Sequence, residues 1–290
     1  MPEIQLKDRL TVTPTGAALA ADVAGIDLAR PLDDATFATI ERAWHEHLVL
    51  RFRGQTLDDD QLMRFSARFG TLDRAPIQAA KSNEVRPNEW VTIISNVKVD
   101  GKPIGGLGNY ESLWHTDMSY NDEPPIASLL HAHEVPPAGG DTGFANMYRA
   151  YETLPADLKA RVEGLTCKHD ASRNSVGELR RGFSDNMDPR ETPGAVHPIV
   201  RTHPVTKRKA LFLGRRRSAY VTGLALADSE SLLDRLWTHA TQPALCWFQQ
   251  WRVGDLIIWD NRCVMHRRDA FEDTARRVMH RTQICGDRPY

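Results

Sequence analysis

His115 and Asp117, in Trp114-His115-Thr116-Asp117, and His266, closing Trp259-Asp260-Asn261-Arg262-Cys263-Val264-Met265-His266, are the residues whose types and spacing offer chemistry first. Side chains two apart on an extended segment point to one face, so His115 and Asp117 read as half of a claw around an ion. His266, brought in from a distant strand, completes two imidazoles and one carboxylate on one face of that ion and leaves the opposite positions open. This set suits non-haem Fe(II) and oxygen chemistry. An H-x-D pair also arises by chance in a chain with 11 histidines, so the elements around it must support the reading.

Those elements are mostly strands. Residues 91–97 and 126–134 are strand formers bounded by Gly or Pro, and they bracket the H-x-D pair. Further strands are expected at 48–52, 244–250, 255–259 and 277–284, with a strand pair across 10–27 around Gly16 and Gly25. Helices are expected after Asp33 or Asp34, with Phe37, Ile40, Ala43 and Trp44 as the apolar stripe. A second starts at Asp58 to Asp60, turns Leu62, Met63, Phe65 and Phe69 inward and closes at Gly70. A third spans 229–240, with Leu232, Leu233, Leu236 and Trp237 on one side. Residues 170–195 are polar, broken by Gly and Pro, and lack an apolar period, so they read as a long loop or lid. The fold class is mainly β with flanking helices (α+β), a β-sandwich carrying helices. No repeat or linker divides the chain, so residues 1–290 read as one domain.

Composition narrows the function classes. The 290 residues are 41% hydrophobic, enough for a sizeable core. Lys and Arg number 37 against 38 Asp and Glu, a formal net charge of −1, which argues against nucleic acid or a membrane surface held by bulk charge. Cys167, Cys246, Cys263 and Cys285 show no C-x-x-C spacing, so reduced thiols in the cytosol are expected and a zinc ribbon is excluded. No export signal and no membrane-length apolar run are visible.

Other motifs weaken on inspection. His131-Ala132-His133 has ligand spacing but reads as packing and surface residues beside Glu134. The Gly105-Gly106-Leu107-Gly108 run lacks the strand before and helix after that a phosphate cradle requires, and reads as an active-site loop. Arg215-Arg216-Arg217 reads as a solvated corner or subunit contact, and Cys263 as a small buried hydrophobe. Arg277 and Arg281, four apart on a strand, share a face with Met279; alone they could be a solvated basic edge.

Four ordered motifs, W-H-T-D, E-V-P-P-A-G-G-D-T from Glu134 to Thr142, W-D-N-R-C-V-M-H and R-R-V-M-H-R-T, together resemble the taurine dioxygenase and aryloxyalkanoate dioxygenase family of Fe(II)/2-oxoglutarate-dependent oxygenases. The T-P-T-G-A opening, G-I-D-L-A-R-P-L and R-F-S-A-R-F-G extend the resemblance through the amino-terminal third. It implies a double-stranded β-helix (jelly roll) core, with His115, Asp117 and His266 as catalytic Fe(II) ligands. It also implies Thr142 and Arg277 on the distal carboxylate of 2-oxoglutarate, O2 as co-substrate, and a homo-oligomer. The chemistry agrees, since a guanidinium grips a carboxylate bidentately and a hydroxyl adds a donor.

By the same comparison Arg281 falls where taurine dioxygenase grips its sulfonate, implying a small anionic substrate. Two departures argue against taurine itself. Glu111 stands in place of an amide, either as a pocket group or as a salt-bridged structural one, and Ala75 replaces a taurine-contacting His. Substrate choice is then expected in the loops at 76–87 and 170–195, among aryloxyalkanoates, alkyl sulfonates or sulfates, and N-acyl amino acids. The resemblance implies succinate and CO2 as co-products. A Zn-dependent hydrolase with the same ligands and a non-turning sensor of small acids on the same fold are the rival readings.

Overall fold

The computed structural model of the chain describes residues 10–74, 89–110, 112–180, 182–185, 188–214 and 218–290. Ala75, Glu111, the loop at 76–87 and the three arginines at 215–217 lie outside the described residues.

In chain order the strands that frame the site are β1 (Thr11–Pro14), β2 (Ala21–Ala24), β3 (Val49–Phe52), β4 (Thr92–Ser95), β5 (Gly106–Leu107) and β6 (Ser112–His115). They continue as β7 (Ala127–Glu134), β8 (Thr142–Asn146), β9 (Cys246–Gln249), β10 (Leu256–Asp260), β11 (Val264–Arg268) and β12 (Val278–Ile284). The larger sheet has the order β1-β2-β3-β10-β7-β12-β4-β5 and the smaller one β9-β8-β11-β6. The fold is a jelly roll with flanking helices, as the sequence led us to expect.

Side-chain alternation on the long central strands sorts two cores. Leu130 and Ala132 of β7 and Met279 of β12 point inward to meet Phe144, Ala145 and Met265 of the smaller sheet. Ala127, Leu129 and Ile284 point outward, where they join Trp44, Phe65, Leu50 and Ile258. Helices α1 (Asp34–His47) and α2 (Asp59–Ser66) cover that outer face. Asp33 caps α1 by accepting from Thr36 N, and Asp58 and Gln61 form a reciprocal capping box on α2, devices worth about 1 kcal/mol each. The expected α1 stripe is buried in full, whereas Met63 of α2 is only half-buried and α2 stops before Gly70.

Three local expectations are corrected. β6 ends at His115, so Asp117 sits in the following turn and not on the strand. The glycine run is part of the sheet: β5 pairs in parallel with β4, and a Cβ on Gly105 would lie 2.5 Å from the Ile93 carbonyl oxygen. The third long helix begins at Leu226, three residues early. Strands β8 and β11 and the short helices Met147–Glu152 and Ala156–Val162 add elements that the sequence did not announce.

Candidate metal centre

β11 lies between β8 and β6, and its register places His266 directly opposite His115. Phe144 on β8, fully buried, packs its ring 6.3 Å from that of His266, so the interior core fixes the imidazole. The turn after β6, with Met118 at φ +46°, carries Asp117 back toward both rings. His115 Nε2 lies 3.7 Å and His266 Nε2 3.8 Å from Asp117 Oδ1, and the three ligand atoms fall within 4.8 Å of one another. All three side chains are buried.

The donor atoms are prepared for a cation. His115 Nδ1 donates to the Leu113 carbonyl at 2.7 Å, which fixes the tautomer and leaves the Nε2 lone pair facing the cluster. Burial alone would raise the Asp117 carboxyl, but Arg281 and then the two imidazoles outweigh it and hold it well below the usual carboxylate range. Two imidazoles and an ionised carboxylate around one point fit a divalent metal with open positions.

A cavity opens over this cluster, and Thr142, Arg277 and Arg281 line it together with His115, Asp117 and His266. Arg277 is 1% exposed, and burial drives its guanidinium well down from its ordinary value, with Arg268 adding to the effect. No carboxylate among the described residues pairs with it, and its Nε has no hydrogen-bond partner there. A buried cation so placed calls for an anion. Thr142 Oγ1 accepts from Trp251 Nε1 at 2.9 Å, which leaves its own proton free to donate. The indole of Trp251 also lies 5.9 Å from the Arg277 guanidinium.

Arg281 reaches the same cavity but gives NH1 to Asp117 Oδ1 at 3.2 Å. Sequence reasoning missed two further arginines on the lining. Arg268 stands two residues beyond His266 on β11, a spacing that alternation could have flagged. It donates to the carbonyls of Leu107 and Tyr110, and burial lowers it to about 10. Arg180 comes from the long loop, stacks 4.0 Å over Tyr120 and bonds to its hydroxyl. With Asn174 and Ser175 it brings described residues of the 170–195 segment onto the cavity lining, and Leu113 N donates to Ser175 O to anchor them.

The His131 and His133 rings lie on the outer face of the large sheet, with His133 4.0 Å from His280 and away from the cavity. Cys263 is buried beside His203 and Asp260.

Comparison with known proteins agrees with this geometry. The family model "Taurine catabolism dioxygenase TauD, TfdA family" matches residues 11–283. The chain is 38% identical to the alpha-ketoglutarate-dependent 2,4-dichlorophenoxyacetate dioxygenase of Cupriavidus pinatubonensis, over 96% of this chain and 98% of that one. It is 35% identical to the (S)-phenoxypropionate/alpha-ketoglutarate-dioxygenase of Sphingobium herbicidovorans, covering 95% of each chain. The crystal structure of AAD-2 in complex with Mn(II) and N-oxalylglycine superposes with a TM-score of 0.78 at 31% identity, covering 97% of this chain and 99% of that one. Matched along nearly its whole length, and with the H-x-D pair and distant His drawn together in its jelly roll, the chain belongs to the TauD, TfdA family.

Proposed function

We propose that this chain is an Fe(II)- and 2-oxoglutarate-dependent dioxygenase that hydroxylates a small carboxylate-bearing substrate of the aryloxyalkanoate type. Its co-products are succinate and CO2. The observation that carries the reading is one cavity holding both a claw of His115, Asp117 and His266 and a buried Arg277 with no carboxylate beside it among the described residues. A hydrolase gives the second feature no task, and a simple acid sensor gives none to the claw.

In this reading His115, Asp117 and His266 hold Fe(II), which when bound activates O2 against 2-oxoglutarate so that one oxygen atom enters succinate and the other the substrate. Arg277 and Thr142 hold the distal carboxylate of 2-oxoglutarate, supplying the charge and the hydroxyl donor respectively. Arg281 meets the substrate anion, and the 170–195 loop with Arg180 closes over it. The protein's work is to orient a C–H bond and exclude water. Where the hydroxylated carbon also bears the ether oxygen, the product is a hemiacetal or hemiketal and collapses to a phenol and an aldehyde or ketone.

Aryloxyalkanoates are favoured over taurine because two relatives named for phenoxy acids match the chain over nearly all their length. N-acyl amino acids and alkyl sulfonates or sulfates meet the same demand for an anion. The same reading takes residues 1–290 as one catalytic domain, working in the cytosol as a homo-oligomer.

The test is succinate released from 2-oxoglutarate with Fe(II) and O2, across these anion classes and without any of them. Stimulation by a phenoxyacetate, with one phenol per succinate, supports the proposal. Stimulation by a sulfonate or N-acyl amino acid alone overturns the substrate class, and no succinate under any condition overturns the reaction.

A further inference from the structure

The two oxygens of Asp117 keep different company. Oδ1 faces the imidazoles and Arg281, whereas Oδ2 accepts a hydrogen bond from Ser128 Oγ at 2.7 Å. Ser128 is fully buried on β7, on the inward side of the sheet. Its oxygen also receives Asn261 Nδ2 at 3.0 Å and Gln283 Nε2 at 3.3 Å. A hydroxyl offers one proton and two lone pairs. With amide donors on both lone pairs, the proton is left to Asp117 Oδ2.

Asn261 is itself aimed. Trp259 Nε1 can only donate, and it gives its hydrogen to Asn261 Oδ1 at 2.9 Å, so the NH2 of that amide must face Ser128. The backbone holds this chain of contacts in register. Trp259 pairs with Ser128 across β10 and β7, and Asn261 N donates to the Ile126 carbonyl at 2.9 Å.

We propose that Ser128, aimed by Asn261, is a positioning residue that restricts Asp117 to ligation through a single oxygen. This rests on the reading of Asp117 as a metal ligand. A carboxylate that can rotate is able to offer both oxygens to one ion and so fill a further coordination position. Pinning Oδ2 leaves Oδ1 as the ligand and keeps that position open, which the keto acid and O2 require. Ser128 also sits on a strand next to β12, so the sheet as well as the turn that carries Asp117 orients the ligand.

The probes are Mn(II) and Co(II) alone, added to the wild-type chain and to Ser128→Ala, Ser128→Thr and Asn261→Ala, with thermal midpoints taken before metal is added. Ser128→Ala is expected to raise the Mn(II) Kd by about 10- to 100-fold, the range found when an outer-shell partner is removed. The Co(II) complex of the same variant is expected to lose visible absorption per bound ion, because a second carboxylate oxygen raises the coordination number. A mere loss of fold stability does not move that spectrum. Ser128→Thr keeps the hydroxyl and is expected to restore most of the affinity and the spectrum, and Asn261→Ala to shift both less than Ser128→Ala does. Wild-type affinity and an unchanged Co(II) spectrum in Ser128→Ala overturn the proposal alone; should Ser128→Ala not fold, unchanged values in Asn261→Ala do so. A wild-type chain that binds neither ion overturns the metal-ligand reading as well.

Discussion

His115, Asp117 and His266 on one side, and His203, Asp260 and Cys263 on the other, are two buried groups of metal-ligating residue types, each with its ligand atoms within 4.8 Å of one another. Only the first is open. In the second, Asp260 Oδ1 accepts Arg262 N at 2.9 Å and Arg262 Nε at 2.8 Å, while Oδ2 accepts Arg262 NH2 at 2.7 Å and His203 Nε2 at 3.0 Å. His203 Nδ1 accepts the backbone N–H groups of Val205 and Thr206, so its Nε2 carries the proton and has no lone pair to give. Burial pushes the Cys263 thiol well up, which keeps it protonated. In the first group His115 Nδ1 is spent on a backbone carbonyl, which turns its Nε2 toward the cluster, and among the described residues Oδ1 of Asp117 meets only Arg281 besides the rings. Convergence of ligand types does not make a metal site; unspent lone pairs do.

The contrast can be broken most severely at the ligands. His266→Ala is expected to retain its fold and to lose succinate formation to the detection limit, measured with saturating Fe(II) and 2-oxoglutarate. Asp260→Ala should instead show its effect in stability. It strands the buried Arg262 guanidinium, and unfolding by denaturant should fall by about 3–5 kcal/mol.

Arg277→Met sharpens the comparison because its two effects have opposite signs. Removing a buried cation that has no carboxylate partner among the described residues should raise the thermal midpoint of the chain without co-substrate, while the KM for 2-oxoglutarate rises by about 10- to 100-fold, the value of a lost charged hydrogen bond. Arg281→Leu should raise the KM of the organic substrate by about 10-fold and leave that of 2-oxoglutarate alone.

The smallest effect belongs to the outer histidines. Burial first, then His280 and His131, lowers His133 to about 4 from an ordinary 6.5. A histidine lowered in the folded state contributes stability that is present above pH 6.5 and lost as pH falls toward 4, because the unfolded chain takes up the proton first. The thermal midpoint of His133→Asn should therefore fall less steeply than wild type across that window.

Much of this was legible in the sequence, though not always for the right reason. The H-x-D pair named two residues that do converge with His266, yet alternation along a strand is not what joins them. β6 stops at His115, and a turn returns Asp117 to the cluster. β7 was readable because its strand formers run long between Pro breakers, and β12 because its strand formers run up to Gly286. β11 was not, since Arg267 and Arg268 interrupt its apolar pattern. The 170–195 loop was legible by its lack of period, and its reach over the cavity follows from contacts such as Leu113 with Ser175. The link from Ser128 to Asn261 could not be seen beforehand, because it depends on the register of β7 against β10.

The central claim is that one Fe(II) and one 2-oxoglutarate bind at the open group, and the direct measurement is an anaerobic titration followed by the visible charge-transfer band of a keto acid chelated to Fe(II). Wild type and His203→Gln are expected to develop the band with one equivalent of each component, and Asp117→Ala to develop none. A band that survives in Asp117→Ala, or that is lost in a folded His203→Gln chain, would contradict the assignment of the metal to His115, Asp117 and His266.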